Sequence, residues 1–171
     1  MPVLVLLASL ALGALAIDQI TKAIVVSTMV EGQTIVLIPG IAQFIFVRNP
    51  GAAFSFAGGQ TWIFSLLAVA VTVVIIWVSR RLASRAWAVV FGLLLGGTLG
   101  NLADRLFREP GFGIGEVVDF INLPWLMPAI FNVADIAITT AAVLFGVLIL
   151  MGLKLDGSRE KKTSDSDRST D

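Results

Sequence analysis

The segment VVDFINLPWLMPAIFNVAD, residues 117–135, joins a short β-strand candidate to the beginning of a long apolar run. Asp119 falls at the end of the strand candidate, and Asp135 is expected about two turns into the helix that the apolar run forms. Pro124 and Pro128 stand between them, and proline removes a backbone donor and disfavours a continuous helix. The two acids are therefore predicted on different elements, joined by a turn that can bring their carboxyl groups together.

The rest of the chain is as apolar as this segment. Its 171 residues are 57% hydrophobic and 14% charged, with a mean hydropathy of +0.92, and a soluble domain of this size could not bury so much apolar surface. Four apolar runs are long enough to cross a hydrocarbon layer of about 30 Å. We therefore predict an α-helical membrane protein with four transmembrane helices, at approximately 3–28, 61–78, 86–103 and 129–153.

Basic residues predict how the helices are oriented. They crowd the link between the second and third runs and follow the fourth run, at Arg80, Arg81, Arg85, Lys154, Arg159, Lys161 and Lys162. Loops rich in Lys and Arg face the cytoplasm, so both termini are predicted to be cytoplasmic. The first run has no basic residue ahead of it, which favours a permanent helix over a cleaved signal peptide. The two longer connections, 31–60 and 104–128, then lie on the outer face.

The outer segments carry β-strand patterns. Residues 34–56, TIVLIPGIAQFIFVRNPGAAFSF, are rich in β-branched and aromatic side chains and are interrupted by Pro-Gly and Asn-Pro-Gly turns. We predict a small β-sheet at the membrane surface, with a further short strand in 115–123. Residues 1–153 are thus expected to form a single integral-membrane domain, and the polar tail 154–171 a disordered cytoplasmic segment.

The composition also limits the chemistry. The chain contains no Cys, His or Tyr, which excludes thiol nucleophiles, Ser-His-Asp triads and imidazole proton shuttles. Twelve basic and twelve acidic residues cancel, so net charge gives no reason to expect a nucleic-acid partner. Asp and Glu remain as general acids or bases, with Lys22 as the one basic alternative inside an apolar run.

Two groups of residues interrupt the predicted helices. Asp18 and Lys22 stand four apart in the order that favours an ion pair on one helical face; a structural anchor and a substrate contact both remain open. In the third run, glycines recur at every fourth position and predict a flat face for helix packing. They are Gly92, Gly96 and Gly100.

Polar residues also cluster where the predicted helices meet the outer face. Asn101, Asp104 and Arg105 end the glycine ridge, and Arg105 could equally extend its charged end to the membrane boundary. Arg48 and Asn49 precede a turn in which small residues allow backbone amides to approach a ligand, although an ordinary interfacial turn has the same pattern.

Two buried acids that share one proton avoid part of the cost of burying charge. In that arrangement one carboxylate takes a proton from water while the other donates a hydrogen bond to the carbonyl under attack. The alternative is two separate acids, each hydrogen-bonded to Asn132 or to an arginine. Other functional classes also remain open at this level: a proton-coupled transporter using Asp18 and Asp135, a magnesium-dependent phosphotransferase using Asp104, Asp119 and Asp135, or a structural subunit.

Five ordered motifs resemble those of bacterial lipoprotein signal peptidases, also called signal peptidase II. They are DQITK (18–22), RNPGAAFSF (48–56), GNLADR (100–105), VVDF (117–120) and FNVAD (131–135), and the resemblance covers roughly residues 10–152. It implies an intramembrane aspartic endopeptidase that removes the signal peptide from diacylglyceryl-modified prolipoproteins, just before the lipidated cysteine. It also implies a location in the bacterial cytoplasmic membrane, with the active site toward the outer face.

The resemblance further implies Asp119 and Asp135 as the catalytic acids, with no metal and no cofactor. The expected partners are prolipoprotein substrates and membrane lipid, and the enzyme is expected to be a monomer. The supporting residues, which would shape the pocket or orient the acids, are Asp18, Lys22, Arg48, Asn49, Gly51, Asn101, Asp104, Arg105, Asn132 and Ala134.

Overall fold

The computed structural model describes residues 2–51 and 61–159. Within them lie four helices, α1 (Val3–Thr28), α2 (Thr61–Ser79), α3 (Arg85–Phe107) and α4 (Val133–Leu150). All four are long and apolar enough to cross a membrane. The predicted class of a four-helix membrane protein is confirmed.

Helix α3 is the centre of the bundle. In its most apolar stretch 56% of the residues are buried, against 17% in each of the other three helices. A Cβ added at Gly92 would lie 2.8 Å from the Leu7 carbonyl oxygen of α1, and one added at Gly97 would lie 2.6 Å from the Ala134 carbonyl oxygen of α4. The predicted glycine ridge therefore packs against α1, and Gly97 allows an equally close approach to α4.

The two outer segments form one sheet. Four strands are present among the described residues, β1 (Thr34–Ile38), β2 (Ala42–Asn49), β3 (Val117–Asn122) and β4 (Ile130–Phe131), and they pair antiparallel in that order. The β2–β3 register places Val47 opposite Asp119 and Asn49 opposite Val117. Because Asn49 and Val47 are two residues apart on one strand, the side chains of Asn49 and Asp119 share a face of the sheet.

The sheet is fixed to the bundle by its opposite face. Phe46, Val118 and Phe120 are buried together with Val25 and Met29 from the end of α1. Strand β1 lies beyond this contact and is exposed along its whole length although all its residues after Thr34 are apolar. The small sheet is confirmed, and this apolar edge suits a strand at the membrane surface.

Two helix boundaries differ from the sequence prediction. Helix α3 continues to Phe107, so Asp104 and Arg105 lie in its last turns and not in a loop. Helix α4 starts at Val133, because the residues before its cap pair with β3 as strand β4. Asp135 is therefore in the first turn of α4, and its predicted position two turns into the helix was wrong.

The beginning of the polar tail is ordered. The Leu155 carbonyl oxygen accepts hydrogen bonds of 3.1 Å from the backbone amides of Ala83 and Ser84, and the Trp87 indole nitrogen donates to the Leu153 carbonyl oxygen at 3.0 Å. Residues 154–159 thus fold back on the α2–α3 connection, contrary to the predicted disorder. The rest of the tail lies outside the described residues.

Candidate active site

Asn132 is the residue on which the site is organised. It is the N-cap of α4. Its side-chain oxygen accepts a hydrogen bond from the backbone N–H of Asp135 at 3.0 Å, and its backbone N–H donates to Asp135 Oδ2 at 3.1 Å. This reciprocal pair is a capping box, which satisfies amide groups that a helix start leaves without partners. It also fixes the carboxylate of Asp135 at the positive end of the α4 dipole.

The side chain of Asn132 also reaches Asp119. Its Nδ2 donates to Asp119 Oδ1 at 2.6 Å, and Asn132 is completely buried. A single residue therefore hydrogen-bonds both acids, Asp135 through its backbone and Asp119 through its side chain. The structure brings the two acids to one place from β3 and α4.

Each acid has a second amide donor. Asn49 Nδ2 donates to Asp119 Oδ2 at 2.7 Å, and Asn101 Nδ2 donates to Asp135 Oδ1 at 2.9 Å. The Asn49 amide is oriented by the Gly51 backbone, whose N–H donates to Asn49 Oδ1 at 2.9 Å. Gly51 has a φ of +103°, and a Cβ there would overlap the Phe64 ring, so this turn requires glycine.

Burial and a neighbouring charge make Asp119 a weak acid. Only 3% of its surface is exposed, and loss of hydration is the main cause that raises its pKa, to about 6. The hydrogen bond from Asn49 acts in the opposite direction, and the charge of Asp135 raises the pKa further. Such a carboxyl group can exchange a proton close to neutral pH, which a general acid or base requires.

A second set of buried polar residues adjoins the site, and we call it the ion-paired cluster. Lys22 Nζ lies 2.9 Å from Asp18 Oδ2 and 2.7 Å from Asp104 Oδ2, and all three side chains are fully buried. Arg108 Nε contacts Asp104 Oδ1 at 2.6 Å. Two carboxylates and two cations balance, so the charge of this cluster is neutralised in place.

The ion-paired cluster holds the start of α4 and part of α3. Asp18 Oδ1 accepts from the Ala134 amide at 2.9 Å. Lys22 Nζ also donates to Asn101 Oδ1 at 2.9 Å, which turns the Asn101 Nδ2 toward Asp135. The predicted Asp18–Lys22 ion pair is present, and it reaches Asp135 through Asn101 and not by direct contact.

Two predicted arginines differ in their positions. Arg105 has its guanidinium carbon 5.7 Å from the centre of the Phe64 ring, and the charges of Asp104, Asp119 and Asp135 all act on it. Arg48 instead lies 3.3 Å from Glu31, on the strand face opposite to Asn49, so the structure does not bring it to the two acids.

Sequence reasoning missed three residues of this region. Gln19 Nε2 donates to Asp18 Oδ2 and Asp104 Oδ1 at 3.1 and 3.2 Å, Arg108 completes the ion-paired cluster, and Gly97 opens the α3–α4 contact. Gln19 could have been found as a polar side chain in an apolar run beside Asp18. Arg108 was hidden because the third helix was predicted to end before it.

The arrangement fits acid–base chemistry on a water molecule better than it fits a metal. Asp104 is already bonded by Lys22, Arg108 and the Val118 amide, so it is not free to join Asp119 and Asp135 around a cation. The two remaining acids are held by neutral amides. In the described part of the chain no Lys or Arg lies within ion-pair distance of either one.

Comparison with known proteins agrees with the five motifs. A family model described as "Signal peptidase (SPase) II" matches residues 10–151. A lipoprotein signal peptidase of Leifsonia xyli is 56% identical over 158 residues, which cover 92% of this chain and 73% of the relative. One of Mycobacterium avium is 44% identical over 163 residues, covering 95% and 88%.

The fold is similar to that of solved membrane proteins. A structure described as a bacterial membrane enzyme solved by the in meso method at 2.3 Å resolution superposes with a TM-score of 0.74 at 29% identity, covering 90% of this chain and 92% of that one. A second, at 1.9 Å resolution, gives 0.73 at 30% identity, covering 82% and 90%. Because the family model covers most of the chain and the relatives match nearly its full length, this protein belongs to the signal peptidase II family.

Proposed function

We propose that the protein is an intramembrane aspartic endopeptidase with Asp119 and Asp135 as its catalytic pair. Its substrates are diacylglyceryl-modified prolipoproteins, and it cleaves just before the lipidated cysteine. Membership of the signal peptidase II family supports a membrane peptidase that removes signal peptides from prolipoproteins. The observation that carries the aspartic mechanism is the shared contact of both acids with Asn132.

The pair acts on water. One carboxylate, ionised, accepts a proton from a water molecule as its oxygen attacks the scissile carbonyl carbon, and the other, protonated, donates a hydrogen bond to the carbonyl oxygen. Collapse of the tetrahedral intermediate breaks the C–N bond, and the leaving nitrogen takes a proton from the pair. The products are a signal peptide with a new carboxylate and a lipoprotein whose lipidated cysteine has a free amino group. We assign no fixed role to either acid, because two coupled groups titrate as a unit.

The surroundings suit a substrate that already resides in the bilayer. A signal helix and two acyl chains reach the site by lateral movement along the apolar outer surfaces of the helices, so no water-filled entry is needed. Asn49 and Asp119 project from β2 and β3, and we propose that the sheet holds the cleavage region against the acids. The predicted loop of this cradle, residues 48–56, is described only as far as Gly51.

The charge distribution supports the proposed orientation. Arg80, Arg81 and Arg85 link α2 and α3 at the end of the bundle far from the acids, and Lys154 follows α4 at the same end. By the positive-inside rule this end faces the cytoplasm, and the acids then lie toward the outer face of the bacterial inner membrane. We propose that the enzyme acts as a monomer.

The test is cleavage of a diacylglyceryl prolipoprotein by the purified protein in proteoliposomes, followed by mass spectrometry of both products. A single cut immediately before the lipidated cysteine is expected. The matched control is the same precursor without the diacylglyceryl group, which should be cut far more slowly. A cut at another position, or equal rates for both precursors, would refute the assigned substrate. Full activity of Asp119→Asn would refute the mechanism alone.

A further inference from the structure

A groove lies at the end of the bundle opposite to the two acids. Its volume is about 670 Å³, within the range of small-molecule sites. Ile149 lies fourteen positions after Asp135 in α4, so the groove is about 21 Å from the acids along this helix. It is therefore distinct from the proposed active site.

The walls of the groove are apolar and come from two helices and the segment that follows α4. Trp87 and Phe91 come from α3, Phe145 and Ile149 come from α4, and residues 152–155 close one end. Trp87 is held in place by stacking on Phe91 and by an edge contact with Phe145, with ring centres 5.7 and 5.1 Å apart. Phe145 and Ile149 remain 43% and 56% exposed, so the groove opens on the side of the bundle that faces lipid.

Two cations stand at the rim. Arg81 and Lys154 line the groove together with one acid, Asp156. Asp156 Oδ1 already accepts two hydrogen bonds from Ser158, at 2.7 and 2.8 Å, while Arg81 lies over the Trp77 ring at 5.3 Å. Within residues 2–51 and 61–159, neither Arg81 nor Lys154 has an ion-pair partner. The charge of Lys154 also acts on Asp156, so two cations against one acid leave the rim with a net positive charge above an apolar cleft.

We propose that this groove binds an anionic phospholipid, with an acyl chain between α3 and α4 and the phosphate at Arg81 and Lys154. The ligand is chosen by charge complementarity and by the apolar walls. The chain's own remaining tail does not fit, since residues 160–171, EKKTSDSDRSTD, contain no apolar side chain. A lipid in this groove would join α3, α4 and the α2–α3 connection where residues 153–155 fold back on them.

The test uses the fluorescence of Trp87. The variant Trp62→Phe/Trp77→Phe/Trp125→Phe keeps Trp87 as the only tryptophan and is placed in phosphatidylcholine vesicles. Acyl-brominated phosphatidylglycerol or acyl-brominated phosphatidylcholine is then added in increasing proportion. Half-maximal quenching is expected at a severalfold lower proportion of brominated phosphatidylglycerol than of brominated phosphatidylcholine.

Charge variants locate the site. Arg81→Gln and Lys154→Gln should each reduce the preference for phosphatidylglycerol about fivefold, as expected for one basic side chain at an anionic surface. Arg80→Gln, in the same connection but outside the groove, is the matched control and should change it less than about twofold. Thermal unfolding of each variant separates lost binding from lost folding.

Three outcomes would overturn the proposal. Equal quenching by both lipids would mean that the groove holds ordinary solvating lipid, and no quenching would mean that no acyl chain enters. A chain that runs as a dimer with Trp87 shielded from both lipids would place a second copy there. If the tryptophan variant fails to fold, native mass spectrometry of the unmodified protein tests the same proposal. Phosphatidylglycerol adducts should then be seen with the unmodified protein and with Arg80→Gln, and be lost in Arg81→Gln.

Discussion

The molecule contains two pairs of acids with different partners, and of the four only Asp135 is partly rather than fully buried. In the ion-paired cluster, Asp18 and Asp104 share Lys22 at 2.9 and 2.7 Å. In the proposed catalytic pair, the hydrogen bonds that Asp119 and Asp135 receive from the described residues come from neutral amides of Asn49, Asn101 and Asn132. A fixed cation favours the charged form of an acid beside it, whereas Asp119, which is held by neutral amides, can relieve its burial by binding a proton. The partners, more than burial itself, separate a structural acid from a reactive one.

The largest effect that the difference between the two pairs predicts comes from replacing the acids of the catalytic pair. Asp119→Asn and Asp135→Asn should each lower kcat/KM by about 10³-fold or more, since each removes half of the acid–base machinery. The double variant should be no slower than either single one, because the two residues act as a unit. Cleavage of a diacylglyceryl prolipoprotein, followed by gel shift, measures all three. Asp156→Asn, an exposed acid at the other end, is the control, and a double variant with multiplied losses would contradict a shared function.

The second test is on the ion-paired cluster. Lys22→Met leaves Asp18 and Asp104 buried side by side and should destabilise the protein by about 3–5 kcal/mol, the usual result of removing one partner from a buried pair. Thermal unfolding in detergent measures it, with Arg80→Met as an exposed control. Adding Asp18→Asn to Lys22→Met should restore part of the loss. An unchanged melting temperature in Lys22→Met would mean that the cluster does not carry the charge balance assigned to it.

The contrast also predicts a pH dependence of stability. The pKa of Asp119 is raised by burial to about 6 in the folded state, above its ordinary value of 3.8, so the folded protein binds more protons between these values. Its contribution is fully present below about pH 4 and is lost as pH rises through 6. The free energy of unfolding should fall by about 3 kcal/mol in all between about pH 3 and about pH 7. Denaturation of wild type and Asp119→Asn at both pH values measures the difference, and an equal slope in the variant would assign the effect to other groups.

The sequence predicted the helices and strands that carry the two pairs of acids better than the tertiary contacts that join them. Hydropathy was sufficient for four helices, and the turn residues were sufficient for strands in both outer segments. The pairing of β2 with β3 could not be read, because the two strands are separated in the chain by two helices and no local pattern fixes their register. The resemblance implied Asp119 and Asp135 as partners, whereas spacing alone favoured such a pair only slightly over two separate acids.

The start of α4 shows why local rules can miss a site by a few residues. Apolar character continues from Ala129 through the cap, so hydropathy placed the helix start before Asn132. The capping pattern of Asn132 with Asp135 three residues later was present in the sequence and would have placed the boundary correctly. The contacts of Asn132 with Asp119 and Asn101 depend on tertiary structure and carry no local signal.

Asn101 connects the ion-paired cluster to the catalytic pair, so its replacement should have a smaller effect that involves both activity and stability. Its Oδ1 accepts from Lys22 and Asn132, and its Nδ2 donates to Asp135. Asn101→Ala should lower kcat/KM about 10- to 100-fold, in line with about 1.5–3 kcal/mol for a hydrogen bond to a charged group, and lower the melting temperature as well. Asn101→Asp should be at least as harmful, because it replaces the donor to Asp135 by a charge. A loss of stability with unchanged activity would place Asn101 in the ion-paired cluster alone.

The smallest effect is expected at the edge of the ion-paired cluster. Arg108 contacts Asp104 at 2.6 Å, but its side chain is 19% exposed, whereas Lys22 is fully buried. Since water reaches the Arg108 side of the pair, Arg108→Gln should cost less than Lys22→Met, about 1–2 kcal/mol, and leave cleavage within about twofold of wild type. High salt should reduce the difference in stability between wild type and Arg108→Gln. It should leave the difference between wild type and Lys22→Met unchanged, because buried charges are poorly screened. If Arg108→Gln lost as much stability as Lys22→Met, both cations would be needed to balance the buried acids. Lys22 alone would then not explain the difference between the ion-paired cluster and the catalytic pair.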